Sequence, residues 1–162
     1  MSEMNQSQFL LQNIKAAFRE ITGAPASLSA QEIRALSAQQ FQSIFNALKV
    51  QIKGSEYLPY EQGNIFIYNH LDNHPSLVAA DHFQITLDSH YISGLLYKYY
   101  KDPGIRVARH SLASESNHKA YYDRFDYIRV YSKKFTPDHL TKKKIKKENK
   151  KFYVRAAAAL EN

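Results

Sequence analysis

The sequence predicts an α/β fold: a layered sheet with flanking helices, preceded by an N-terminal helical extension. Three observations predict it. Apolar residues recur at a helical period through residues 5–52. Short β-rich apolar runs stand at Ile65–Tyr68, Ile105–Ala108 and Tyr127–Tyr131. Helical patterns alternate with those runs. A chain of 162 residues, 44% hydrophobic and 13% aromatic, suits one such domain with its extension, divided here as 1–55 and 56–162.

Phe9, Leu10, Ile14, Ala17, Phe18 and Ile21 recur at a period near 3.6, and Gly23 with Pro25 ends that run. Ser29 followed by Glu32, and Ser37 followed by Gln40, are capping-box patterns that predict helix starts. Phe41, Ile44, Phe45 and Leu48 then form an apolar stripe. Pro59 and Gly63 signal turns, and Ile65–His70 (IFIYNH) reads as a buried strand running into a polar, histidine-rich segment. Asp88 or Ser89 can cap the next helix, in which Tyr91, Ile92, Leu95, Leu96 and Tyr99 share a face. Pro103-Gly104 ends it, and Ile105–Ala108 reads as a second strand. Tyr121–Phe125 is helical in pattern, and Tyr127–Tyr131 reads as a third strand. Thr136-Pro137 reads as the N-cap and first helical position of a lysine-rich helix expected to run through Ile145, Phe152, Val154 and the Ala156–Leu160 run.

Charge and composition narrow the functional classes. The net charge is +7, and most of the excess lies in one stretch, from Lys133 and Lys134 through Lys142–Lys144, Lys146, Lys147, Lys150 and Lys151 to Arg155. With no cysteine, disulfides and thiolate metal sites are excluded. The opening MSEMNQSQ lacks a secretory pattern, and no apolar stretch approaches the roughly 18–20 residues of a membrane span. A cytoplasmic protein is expected, peripheral on the membrane if the 133–155 stretch docks on anionic lipid. Each basic residue near such a surface contributes about 1 kcal/mol. The plain alternative is a solvated helix face. Nucleic acid is not the expected partner: no binding motif accompanies the charge, and most of the twelve tyrosines fall in strand and helix patterns.

Five of seven histidines, His70, His74, His82, His90 and His110, fall between residues 70 and 110. Three readings follow. A histidine at a strand's end, oriented by a carboxylate, can take the proton of an alcohol attacking a thioester. His70, Asp72 and His74 alternate and would share one face of an extended strand, as ligands of zinc, manganese or iron in a metal-dependent hydrolase. Against this, Pro75 and the asparagines suggest a turn there. The third reading is a polar loop whose histidines and aspartates cap helices and bond backbone. Arg106 and Arg109, three apart on one strand, do not share a face, so one can line a site while the other serves the surface.

A hydrophobic strand ending in Asn69-His70, followed by a helix opened by Asp88, resembles the first block of the glycerol-phosphate and lysophosphatidate acyltransferases. Later segments resemble that family in order: Arg106–Leu112 (RVARHSL), Tyr121–Lys133 (YYDRFDYIRVYSK) and Asn149–Asn162 (NKKFYVRAAAALEN). The likeness covers residues 60–162. It implies transfer of a fatty acyl group from acyl-coenzyme A or acyl carrier protein to a glycerol-phosphate hydroxyl, with no bound cofactor. His70 would be the general base and Asp88, or else Asp72, its orienting partner. Asn69, Lys133 and Arg106 would bind substrate. The sequence departs from the family in three places. The signature spacing of four residues between histidine and aspartate puts Pro75 where aspartate belongs, so Asp88 requires an insertion over 73–87. In the second block Asp126 and Ser132-Lys133 stand where the family has a glycine before the strand and an arginine after it. A literal match to the signature, His118 with Asp123, occurs elsewhere but has no apolar strand before it. The Phe-Pro-Glu-Gly block expected to hold the acceptor's phosphate would begin beyond Asn162, which implies an incomplete domain. A non-catalytic homologue that binds membrane or a partner is therefore a further expectation.

Overall fold

A computed structural model describes residues 5–61, 63–71, 74, 75, 77–132, 137 and 139–161. The fold is mixed α/β and helix-rich, with five α-helices and two two-stranded sheets among the described residues.

Helix α1 (Gln6–Gly23) starts on Asn5, whose side chain accepts from the Ser7 amide, and ends before Pro25. Helix α2 (Ala30–Ala47) starts on the Ser29–Glu32 capping box, with both reciprocal hydrogen bonds made. The second capping-box pattern is not a helix start. Ser37 lies buried inside α2, because the apolar periodicity from Ile33 to Ile44 runs through it unbroken. Local cap chemistry loses there to the stripe of buried side chains.

Strands β1 (Val78–Ala80) and β2 (Phe83–Gln84) form an antiparallel hairpin, turned at His82 with φ +54°. This hairpin falls within the segment expected as an insertion. Helix α3 (Leu87–Tyr100) follows, with Thr86 at its N-cap, so that Asp88 and Ser89, expected as caps, lie inside its first turn. Strand β3 (Val107–Arg109) pairs in parallel with β4 (Ile128–Val130), and α4 (Ser116–Tyr122) with a 3-10 turn (Asp123–Phe125) crosses between them. Parallel pairing requires such a crossover. Helix α5 (Lys142–Glu161) packs on β4.

The first expected strand is absent. Ile65–His70 runs extended with no ladder partner among the described residues, and Ile65 and Ile67 are exposed. Its even-numbered side chains turn inward instead. The Phe66 ring sits 6.2 Å from Tyr100, Tyr68 donates to Ser89 at 3.1 Å, and His70 meets Asp88. Two-residue alternation is thus real, but the surface beneath it is the side of α3 rather than a neighbouring strand. The segment descends that helix from its C-terminus to its N-terminus.

One hydrophobic core joins the first two helices to the region from Ala79 to Tyr127. Ile14, Ile21, Ile33 and Phe41 from the first two helices pack with Phe83, Ile85, Tyr121, Phe125 and Tyr127. Each such side chain contributes about 1.5–3 kcal/mol through burial. Helices α2 and α3 cross closely at Gly94, where an added Cβ would lie 3.3 Å from both the Ala38 carbonyl oxygen and the Gln42 nitrogen. That contact holds α3, and so Asp88, on the helical pair.

Candidate functional site: a histidine–aspartate pair at the start of α3

Asp88 is the second residue of α3, where the unsatisfied amides and the positive end of the helix dipole favour a carboxylate. Its side chain is only 9% exposed, yet it caps nothing in the ordinary sense; Thr86 stands at the N-cap without a side-chain bond. Instead, Oδ2 accepts from the Leu71 amide at 2.7 Å and meets His70 Nδ1. Oδ1 accepts from the Ser89 amide at 2.5 Å. Burial raises the carboxyl's pKa, but hydrogen bonds from His70 and from the Leu71 and Ser89 amides outweigh it, leaving Asp88 below the usual carboxylate value.

His70 is the exposed half of the pair, with 64% of its side chain open to solvent. A carboxylate at Nδ1 takes the ring's N–H, which leaves Nε2 as the unprotonated atom on the open side. The Leu71 amide bonds the same carboxylate oxygen, so backbone and ring are fixed together. An imidazole in this tautomer can accept a proton at Nε2, and Asp88 then stabilises the imidazolium that forms.

The remaining sequence-derived candidates separate clearly. Asn69 is exposed beside the pair. Asp72 and Lys133 lie outside the described residues. His74 is exposed in a turn, with its carbonyl accepting from Leu77 and from Gln84. Among the described residues no three His, Cys, Asp or Glu side chains converge as a metal site. Arg106 faces α3 rather than solvent: Nε donates to Ser93 at 3.0 Å, and the guanidinium lies 5.2 Å from the Tyr127 ring. Ser93 and Ser89 are one helical turn apart, so Arg106 stands about 6 Å along α3 from the Ser89 level. Arg109 is committed elsewhere, in a two-pronged pair with Glu115 at 2.6 Å.

The literal spacing match does not form a pair. His118 Nδ1 contacts Ser111 at 2.7 Å, while Asp123 is engaged by Lys119 and by Arg129 at 3.4 Å. Burial, with Arg109 adding to it, pushes His118 down to about 4. His90 is wholly buried and structural. Its Nδ1 donates to the Thr86 carbonyl at 2.7 Å, and Tyr121 donates to Nε2 at 2.9 Å. Burial, then the nearby Arg106 charge, depresses its pKa well below the ordinary value, so it is neutral.

Tyr68, Ser89 and the Leu71 amide were not among the sequence-derived site residues, yet they position the pair. The alternation of Phe66, Tyr68 and His70 carried a signal for Tyr68. The Leu71 amide carried none, since backbone direction is not written in side-chain type. No family model, curated protein or solved structure matches the chain.

Proposed function

We propose that the chain is an acyltransferase-type protein of phospholipid biosynthesis, in which His70 is the general base and Asp88 its orienting partner. The observation that supports this most is the pair itself: a carboxylate held by two amides at a helix start, bonded to the Nδ1 of an exposed histidine. The residues concerned are the two that the family resemblance names. On this reading, β3 and β4 are the parallel nucleus of a layered sheet with flanking helices.

The step balances without a protein nucleophile. The acceptor's hydroxyl oxygen attacks the thioester carbonyl carbon while Nε2 takes the hydroxyl proton. The tetrahedral intermediate collapses, the C–S bond breaks, and the leaving thiolate takes the proton back from the imidazolium. The acceptor would be a glycerol phosphate and the donor acyl-coenzyme A or acyl carrier protein, with Asn69 and Lys133 as the substrate-side polar groups, while Arg106 is engaged on α3 by Ser93.

Purified protein is assayed for acyl transfer to glycerol 3-phosphate from both donors. His70→Ala is expected to abolish turnover, and Asp88→Asn to lower it by about 10²–10⁴-fold, with circular dichroism unchanged. A wild-type protein without turnover, or a His70→Ala variant as active as wild type, would overturn the proposal.

A further inference from the structure

Helix α5 has two unlike faces. Ile145, Asn149, Phe152 and Ala156 are half-buried on β4 and recur at helical spacing. Lys143, Lys147, Lys150 and Val154 recur at the same spacing on the opposite side, and all four are exposed. Between Lys142 and Val154 the helix carries one carboxylate, Glu148, and Lys151 bonds it at 2.6 Å. The outer face is therefore basic along its first half and turns apolar at Tyr153 and Val154, which are 71% and 73% exposed.

The apolar end does not stop with the helix. Gly63 packs so closely on the C-terminal turn that an added Cβ would lie 2.9 Å from the Leu160 carbonyl oxygen. From that junction the extended segment leaves with Ile65 and Ile67 pointing away from α3, 73% and 93% exposed. The Gly63 junction thus ties the end of α5, whose outer face is basic and then apolar, to the segment that carries exposed Ile65 and Ile67 and ends at His70.

We infer that this surface docks on an anionic lipid bilayer, with the α5 lysines against acidic headgroups and Val154, Ile65 and Ile67 entering the interface. Charge complementarity selects an acidic partner. Tyr153 is the one exposed ring along α5, while exposed Val154, Ile65 and Ile67 gain nothing against a nucleic-acid backbone and gain burial in a lipid interface, which favours lipid. The inference is independent of the catalytic proposal, since its test reads binding alone.

The test is co-sedimentation with vesicles of phosphatidylglycerol and phosphatidylcholine, beside vesicles of phosphatidylcholine alone and a single-stranded oligonucleotide. The protein is expected to bind only the acidic vesicles, and to release as salt rises. The combined Lys143→Gln, Lys147→Gln and Lys150→Gln changes should weaken binding about a hundredfold, at roughly fivefold per charge. Ile65→Ser with Ile67→Ser should also weaken it while leaving the salt dependence intact. All five positions are exposed, and circular dichroism confirms that each variant folds. Failure to bind acidic vesicles, equal binding to neutral ones, tighter binding to the oligonucleotide, or wild-type binding by either variant would overturn the inference.

Discussion

At the scale of single residues, three histidines in one small fold occupy three different environments. His70 is open and paired with a carboxylate, His90 is sealed between a carbonyl and a tyrosine, and His118 is half-buried near arginines. Burial depresses both His90 and His118, so each is neutral when folded but free to take a proton when unfolded. A depressed folded pKa means that stability falls with pH below the ordinary histidine value of 6.5, and for His118 the loss runs down to about 4. Asp88 acts lower still: its contribution is present above the ordinary value of 3.8 and is lost as pH falls through its depressed pKa. Urea unfolding between pH 7 and pH 4.5 should therefore show a declining midpoint. His90→Leu should cost about 1–3 kcal/mol at pH 7, because Tyr121 and Thr86 lose a buried partner. It should also flatten the acid slope by up to about 1.4 kcal/mol per pH unit, one proton's share. An unchanged slope would show that His90 titrates normally.

At the scale of elements, the position of α3 decides the site, because α3 supplies Asp88 while a separate segment supplies His70. Its place depends on the crossing with α2, where Gly94 admits the Ala38 carbonyl and the Gln42 backbone. A β-branched side chain there meets backbone rather than a movable side-chain end. Gly94→Val is expected to destabilise the protein by about 1–3 kcal/mol through overpacking. It should also disturb the His70–Asp88 contact, read as a shift of the His70 ring resonances in NMR. Wild-type stability in that variant would mean that the two helices are less closely applied. The capping box at Ser29 was readable in the sequence because its chemistry is local and reciprocal. The look-alike at Ser37 was misleading for the same reason: a short motif does not report that an apolar stripe continues through it.

At the scale of the whole molecule, the core and α5 are held unequally. The core unites α1, α2, the β1–β2 hairpin and the α4 region through large buried side chains. Helix α5 has no fully buried residue and is tied to the outer edge of β4 by polar groups. The Asn149 side chain bonds both the amide and the carbonyl of Tyr131, at 2.8 and 2.9 Å, and Arg155 reaches the Asp126 carbonyl at 3.1 Å. Amide hydrogen exchange should therefore be faster along α5 than along α2 and α3, as expected of an element with few apolar contacts. Asn149→Ala should accelerate exchange in α5 with little change in the core helices. Uniform protection across all helices would contradict this division.

By itself the sequence determined the helical pair, the strand–helix alternation after residue 100, the lysine-rich helix and the candidacy of His70 with Asp88. The first three rest on a local period, cap or charge run, and the last on the family resemblance. Tertiary structure alone decided that Ile65–His70 lies on the side of α3 rather than in a sheet. Alternating apolar residues fit either surface equally well, and only the packing partner distinguishes them. Tertiary structure also brought Asp88 to His70 Nδ1. The two are 18 positions apart with a hairpin and a helix start between them, a distance across which sequence spacing carries no geometry.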